Sequence, residues 1–98
     1  ALSRDRGTAN QAVDQGYGLV CDIHGRLIDG LFVSSANQEH GIISARSGNK
    51  LKIEDFPIGT RLRILPNHAC STGAQHPKYV VVDRGLEIKE IWDRFYGW

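Results

Sequence analysis

Short apolar segments recur along this chain, and each is stopped by Gly, Pro, Asn or Ser before a helical period can develop. That rhythm constrains the fold more than any other feature, because a helix needs a sustained 3.6-residue repeat and a strand needs only a few alternating positions. Residues 17–23 read as a strand, His24-Gly25 as a turn, and residues 26–34 as the returning strand of a hairpin. The polar stretch 34–38 is a bend. Residues 40–45 carry Ile42 and Ile43, Ser47-Gly48-Asn49 reads as a turn, and Leu51 and Ile53 resume a short strand, giving a second hairpin. Arg61, Leu62, Arg63, Ile64 and Leu65 then alternate strictly until Pro66, which lacks a backbone N–H and ends the ladder. Residues 79–82, the turn Asp83-Arg84-Gly85 and residues 86–92 form a third hairpin, with Phe95, Tyr96 and Trp98 adding aromatic bulk at the end.

Six or more short strands predict a mostly-β domain of small-barrel type, with residues 7–16, rich in polar residues and glycine, as a surface loop. The length, 98 residues, allows one domain over 1–98 and a single modest core. There is no methionine, and Ala1-Leu2-Ser3 reads as part of an extended run, so the expectation is a segment of a longer protein. An edge strand left open in such a segment makes dimerisation an expected way of covering it.

Charge and composition exclude several classes of partner. Twelve Lys and Arg face eleven Asp and Glu, for a formal net charge of +1, and the signs are interleaved without a basic block. No phosphate-tracking surface follows, so nucleic acid is not expected. No apolar run approaches the roughly 20 residues of a membrane span, and no secretory signal opens the chain. Two cysteines, Cys21 and Cys70, do not make a disulfide framework, and both read as thiols of a reducing, cytoplasmic compartment. Cys21, inside an apolar strand, reads as core.

Chemistry concentrates in Pro66-Asn67-His68-Ala69-Cys70. If the backbone stays extended past Pro66, His68 and Cys70 project to one face, and an imidazole with a thiolate suits zinc. Two ligands are too few for a closed structural site, and no Cys-x-x-Cys is present. They suit an open site whose ion is completed by water or substrate. The residues by themselves leave a plainer reading open, in which His68 is a loop histidine and Cys70 a small apolar filler. A cysteine hydrolase is not supported, because nothing orients the imidazole as a base or supplies an oxyanion hole. His24 reads as a turn residue and His76, before Pro77, as a loop residue.

Residues 1–8, Gly16-Tyr17-Gly18-Leu19-Val20-Cys21-Asp22, Gln38-Glu39-His40-Gly41-Ile42-Ile43, residues 61–70 and residues 92–98 together resemble the C-terminal domain of the D-serine dehydratase and D-threonine aldolase family, pyridoxal-phosphate enzymes of alanine racemase fold type. The resemblance implies that His68 and Cys70 bind a divalent metal, usually zinc in the dehydratase branch. Aldolase members tend to carry an acidic residue where Cys70 stands, which favours harder ions. It implies that His40 lines the pocket or supports a ligand from behind. It also implies a missing N-terminal barrel that binds pyridoxal phosphate through a lysine. None of Lys50, Lys52, Lys78 and Lys89 is assigned that role. The parent protein is then expected to be a homodimeric lyase acting on a small D-hydroxy amino acid, by dehydration or by aldol-type cleavage. The 98-residue chain alone is expected to be inactive, a structural module.

Overall fold

The computed structural model describes residue 2, residues 13–46 and residues 50–95. Strands dominate: β1 (Gly18–Cys21), β2 (Leu27–Ala36), β3 (Gly41–Ala45), β4 (Arg63–Pro66), β5 (Lys78–Val82) and β6 (Ile88–Asp93). A 3-10 turn, Ile53–Asp55, and one short helix, α1 (Ala69–Gly73), interrupt them. The first four strands make an antiparallel sheet ordered β3-β2-β1-β4, and β5 and β6 make a separate two-stranded sheet. The mostly-β expectation therefore holds, but the sheet stays open. β3 and β4 are its outer strands and do not pair with one another. No helix among the described residues is long and apolar enough to cross a membrane.

The first hairpin forms where expected, and the reason is local. The Asp22 carboxylate accepts hydrogen bonds from the backbone N–H groups of His24 (2.8 Å) and Arg26 (3.0 Å). Gly25, at φ +84°, takes the left-handed conformation that closes the turn. The Arg26 N–H is the main reason the Asp22 carboxyl titrates below its ordinary value, with the His24 contacts helping and desolvation opposing. A carboxyl whose folded pKa is lowered stabilises the turn at all pH values above the ordinary carboxylate range. That contribution disappears as pH falls through the lowered value. We expect the Arg26 amide resonance to titrate in that acidic window, and to stop doing so in Asp22→Ala.

The second hairpin is not the one expected. β3 returns along β2, pairing Ala36 with Gly41 and Leu31 with Ala45, and the connection is the Asn37–His40 turn rather than Ser47-Gly48-Asn49. Residues 47–49 lie outside the described residues. Leu51 is in no strand, and Ile53 opens the 3-10 turn. Asp55 and Phe56 bond back to Lys52 and Ile53, which curls the chain before Pro57. The strand expected over 61–65 is shortened and shifted to β4, which includes Pro66. That residue is tolerated because β4 is an edge strand. The third hairpin is present, with β6 starting at Ile88.

The core sits on one face of the four-stranded sheet. Val20, Leu31 and Val33 are buried, and Tyr17, Ile28, Ile43, Ala45, Phe56, Leu62 and Ile64 pack around them. Leu2 also reaches this cluster. Cys21, on the opposite face of β1, is only 1% exposed, in keeping with its reading as core. Arg46, at the end of β3, packs on Phe32 of β2. Its guanidinium lies 4.6 Å from the Phe32 ring centroid and donates to the Asp14 carbonyl and the Gln15 side chain. The expected loop over 7–16 is described only from residue 13, where no strand or helix forms before β1. Of the terminal aromatic residues, Phe95 is 94% exposed, while Tyr96 and Trp98 lie outside the described residues.

Candidate metal centre

β4 delivers the Pro66–Cys70 segment to one end of the sheet. Pro66 is paired with Gly18, and the next residue continues the attachment: the Asn67 N–H donates to the Tyr17 carbonyl at 3.0 Å. The segment is thereby tied to the inner strand of the sheet, which fixes where His68 begins.

Beyond Asn67 the backbone does not stay extended, and this corrects the geometric premise for the His68 and Cys70 pair. His68 keeps an extended conformation, with φ −135° and ψ 107°, but it is the N-cap of α1, and Cys70 lies inside that helix. Ser71 and Thr72 lie in that turn. Both hydroxyls donate to the His68 carbonyl, each at 3.3 Å, and the Ala74 N–H donates to the Cys70 carbonyl at 3.0 Å. Hydroxyls that bond a carbonyl three and four residues back give the backbone a local alternative to a continued strand ladder. The two side chains therefore leave the chain from different backbone conformations rather than from one strand face.

The chemistry of the two groups still suits a soft divalent ion. The His68 Nδ1 atom is buried, while Cys70 is an exposed free thiol. A neutral imidazole nitrogen and a thiolate are the donor types zinc takes. Among the described residues no three His, Cys, Asp or Glu side chains gather into a metal cluster. Any ion held here draws further ligands from outside these residues.

His40 reaches the same end of the sheet by a different route. β3 begins at Gly41, opposite Ala36, so the Asn37–His40 turn lies at the end where β1 starts and β4 stops. His40 Nε2 is 3.0 Å from the Asn37 side-chain amide, and the Asn37 N–H donates to the His40 carbonyl at 2.8 Å. The imidazole thus braces its own turn. It also lines an open cleft of about 790 Å³, together with Leu2, Tyr17, Gln38 and Glu39. His68 and Cys70 do not line that cleft. His24 falls in a turn and His76 in a loop, as expected, and both are exposed.

Three residues important to this region were not singled out from the sequence. Tyr17 joins the two elements, lining the cleft with its side chain and accepting the Asn67 N–H with its carbonyl. Tyr79, on β5, places its hydroxyl so close to α1 that a methyl group added at Gly73 would stand 2.9 Å from it. Arg94, just after β6, donates to the Ala74 carbonyl at 3.3 Å.

Comparison with known proteins gives consistent matches. A family model described as a putative serine dehydratase domain matches residues 1–82. The D-threo-3-hydroxyaspartate dehydratase of Delftia sp. HT23 is 52% identical over 101 residues, covering 100% of this chain and 26% of that protein. Its structure superimposes with a TM-score of 0.80. Structures of that enzyme include a variant with a cysteine changed to alanine, in a metal-free form, and a variant with a histidine changed to alanine, the two sites separated by one residue. An alanine racemase-like protein from Idiomarina loihiensis matches with a TM-score of 0.80 and 51% identity, covering 100% of this chain and 26% of that one. The D-serine dehydratase of Saccharomyces cerevisiae is 31% identical over 90 residues, covering 86% of this chain and 21% of that protein. The chain spans about a quarter of the length of the first of these relatives.

Proposed function

The chain belongs to the putative serine dehydratase domain family, and from that membership we propose that it is the metal-holding C-terminal domain of a pyridoxal-phosphate- and zinc-dependent lyase that dehydrates a D-3-hydroxy amino acid. The observation that carries the reading is the donor pair His68 and Cys70, with the buried imidazole Nδ1 at the end of β4. Its spacing matches the histidine and cysteine substituted in the Delftia enzyme, one of them in a metal-free form. D-threo-3-hydroxyaspartate is favoured over D-serine as substrate because identity is 52% to the former's dehydratase and 31% to the yeast D-serine enzyme.

In this reading His68 and Cys70 hold the zinc, and the rest of the polypeptide, an N-terminal barrel, holds the pyridoxal phosphate. When bound, the ion supplies Lewis acidity to the substrate's β-hydroxyl oxygen and the pyridoxal phosphate supplies an electron sink at Cα. The residues of this chain do the positioning. Asn67, held to Tyr17, fixes the start of the segment, and Ser71 and Thr72 clamp the His68 carbonyl so that the imidazole leaves the backbone from a set place. Zinc, rather than manganese or magnesium, follows from the thiol, which is a poor ligand for hard ions.

The test is turnover by the full-length enzyme. We expect D-threo-3-hydroxyaspartate to be converted to an oxo acid and ammonia. Activity should be lost on chelation and restored by zinc better than by magnesium. Release of an aldehyde and glycine would instead establish the aldolase alternative. Metal-independent turnover would refute the role given to His68 and Cys70.

A further inference from the structure

The β5–β6 hairpin is the part of the molecule that this chain leaves least accounted for. Cross-strand pairing puts Val80 beside Ile91 and Val82 beside Ile88, so four branched aliphatic side chains share one face. They are 53%, 53%, 37% and 62% exposed, in that order. The opposite face carries Tyr79 paired with Trp92 and is turned toward α1, where the Tyr79 hydroxyl meets Gly73. One face of the hairpin thus has a neighbour, and the aliphatic face is bare. A two-stranded hairpin is marginal in water without something packed on it.

Two occupants are physically reasonable, a second copy of the chain or the remainder of the same polypeptide, and area separates them. With five paired positions, the face is roughly 17 Å long and 10 Å wide, on the order of 170 Å². A stable association of separate molecules buries about 800 Å² on each partner. A tethered domain needs far less, because its effective concentration beside the hairpin is set by the connection rather than by dilution. The relatives supply such a domain, being about four times as long as this chain, which covers 26% of the first of them.

We propose that Val80, Val82, Ile88 and Ile91 form the seat on which the larger, N-terminal part of the same polypeptide packs, through an apolar surface of its own. This rests on the reading of the chain as a C-terminal domain. Lys78 and Asp93, paired at one end of the face, and the Lys89–Glu87 ion pair (3.3 Å) at the other, give the seat a polar rim.

The experiment is thiol labelling of the full-length enzyme, read site by site by peptide mass spectrometry, at two protein concentrations that bracket oligomer dissociation. Ile91→Cys on the face is compared with Glu87→Cys in the adjoining loop, and Val80→Cys serves if the first variant does not fold. We expect the face position to react at least tenfold more slowly than the loop position at both concentrations. Equal rates would overturn the proposal, and so would slow labelling that vanishes on dilution, which would identify a second copy as the occupant. Zinc content of the same samples reports separately on His68 and Cys70. A covered hairpin without zinc removes only the metal reading, and bound zinc with an open hairpin removes only this one.

Discussion

Cys70→Ala in the full-length enzyme is expected to lower zinc content and turnover together, with turnover falling by about a thousandfold. The magnitude follows from the several kcal/mol of charge stabilisation that a Lewis-acidic ion contributes, at about 1.4 kcal/mol for each tenfold in rate. Cys70 is exposed and sits in a helix turn held by backbone and hydroxyl contacts, so its removal leaves the fold intact. Cys21→Ala is the matched control. Cys21 is 1% exposed in the sheet, so that variant should lose stability while keeping its zinc. Metal analysis of both proteins, beside thermal unfolding, separates the roles. Unchanged zinc in Cys70→Ala would remove the thiol from the site.

The largest effect on folding is expected from Gly16→Ala. Gly16 has φ +59°, and a β-carbon placed there would lie 2.3 Å from the Val33 carbonyl oxygen, a backbone atom that cannot swing away. The neighbouring Tyr17 N–H donates to that same carbonyl at 2.8 Å, so relieving the clash breaks a bond that holds β1 to β2. Left-handed strain, overpacking and the weakened hydrogen bond together should cost about 3 to 5 kcal/mol, a large share of a domain's total stability. Urea denaturation of the full-length protein, followed by Trp fluorescence, would show the shift. A midpoint unchanged within error would mean the close approach at Val33 does not exist.

The first and third hairpins were legible because each carries an alternating apolar pattern around a turn whose chemistry is local. Asp22 and Gly25 close the first, and the run from Asp83 to Gly85 opens the loop of the third. The second hairpin was misplaced for an equally local reason. Ser47-Gly48-Asn49 has stronger turn chemistry than Asn37-Gln38-Glu39-His40, and only the sheet decides that β3 pairs backward with β2. Barrel closure depends on which edges meet, and the sequence pattern of β3 and β4 says nothing about that. At the candidate site the residue types were legible and the backbone was not. A five-residue helix is too short to show a period, and the bonds from Ser71 and Thr72 back to the His68 carbonyl become visible only once the turn has formed. Tyr17 went unnoticed because its contribution to Asn67 is a backbone carbonyl, which any residue type supplies.

The pairing of β1 with β4 has a bearing on the order in which the molecule matures. Gly18 and Pro66 are partners across roughly fifty residues of intervening chain, a closure that comes with an entropic cost and tends to form late. Until that ladder zips, the Asn67–Tyr17 hydrogen bond that ties the imidazole- and thiol-bearing segment to the sheet cannot form. If His68 and Cys70 hold an ion as proposed, its loading is expected to follow folding of the sheet rather than to template it.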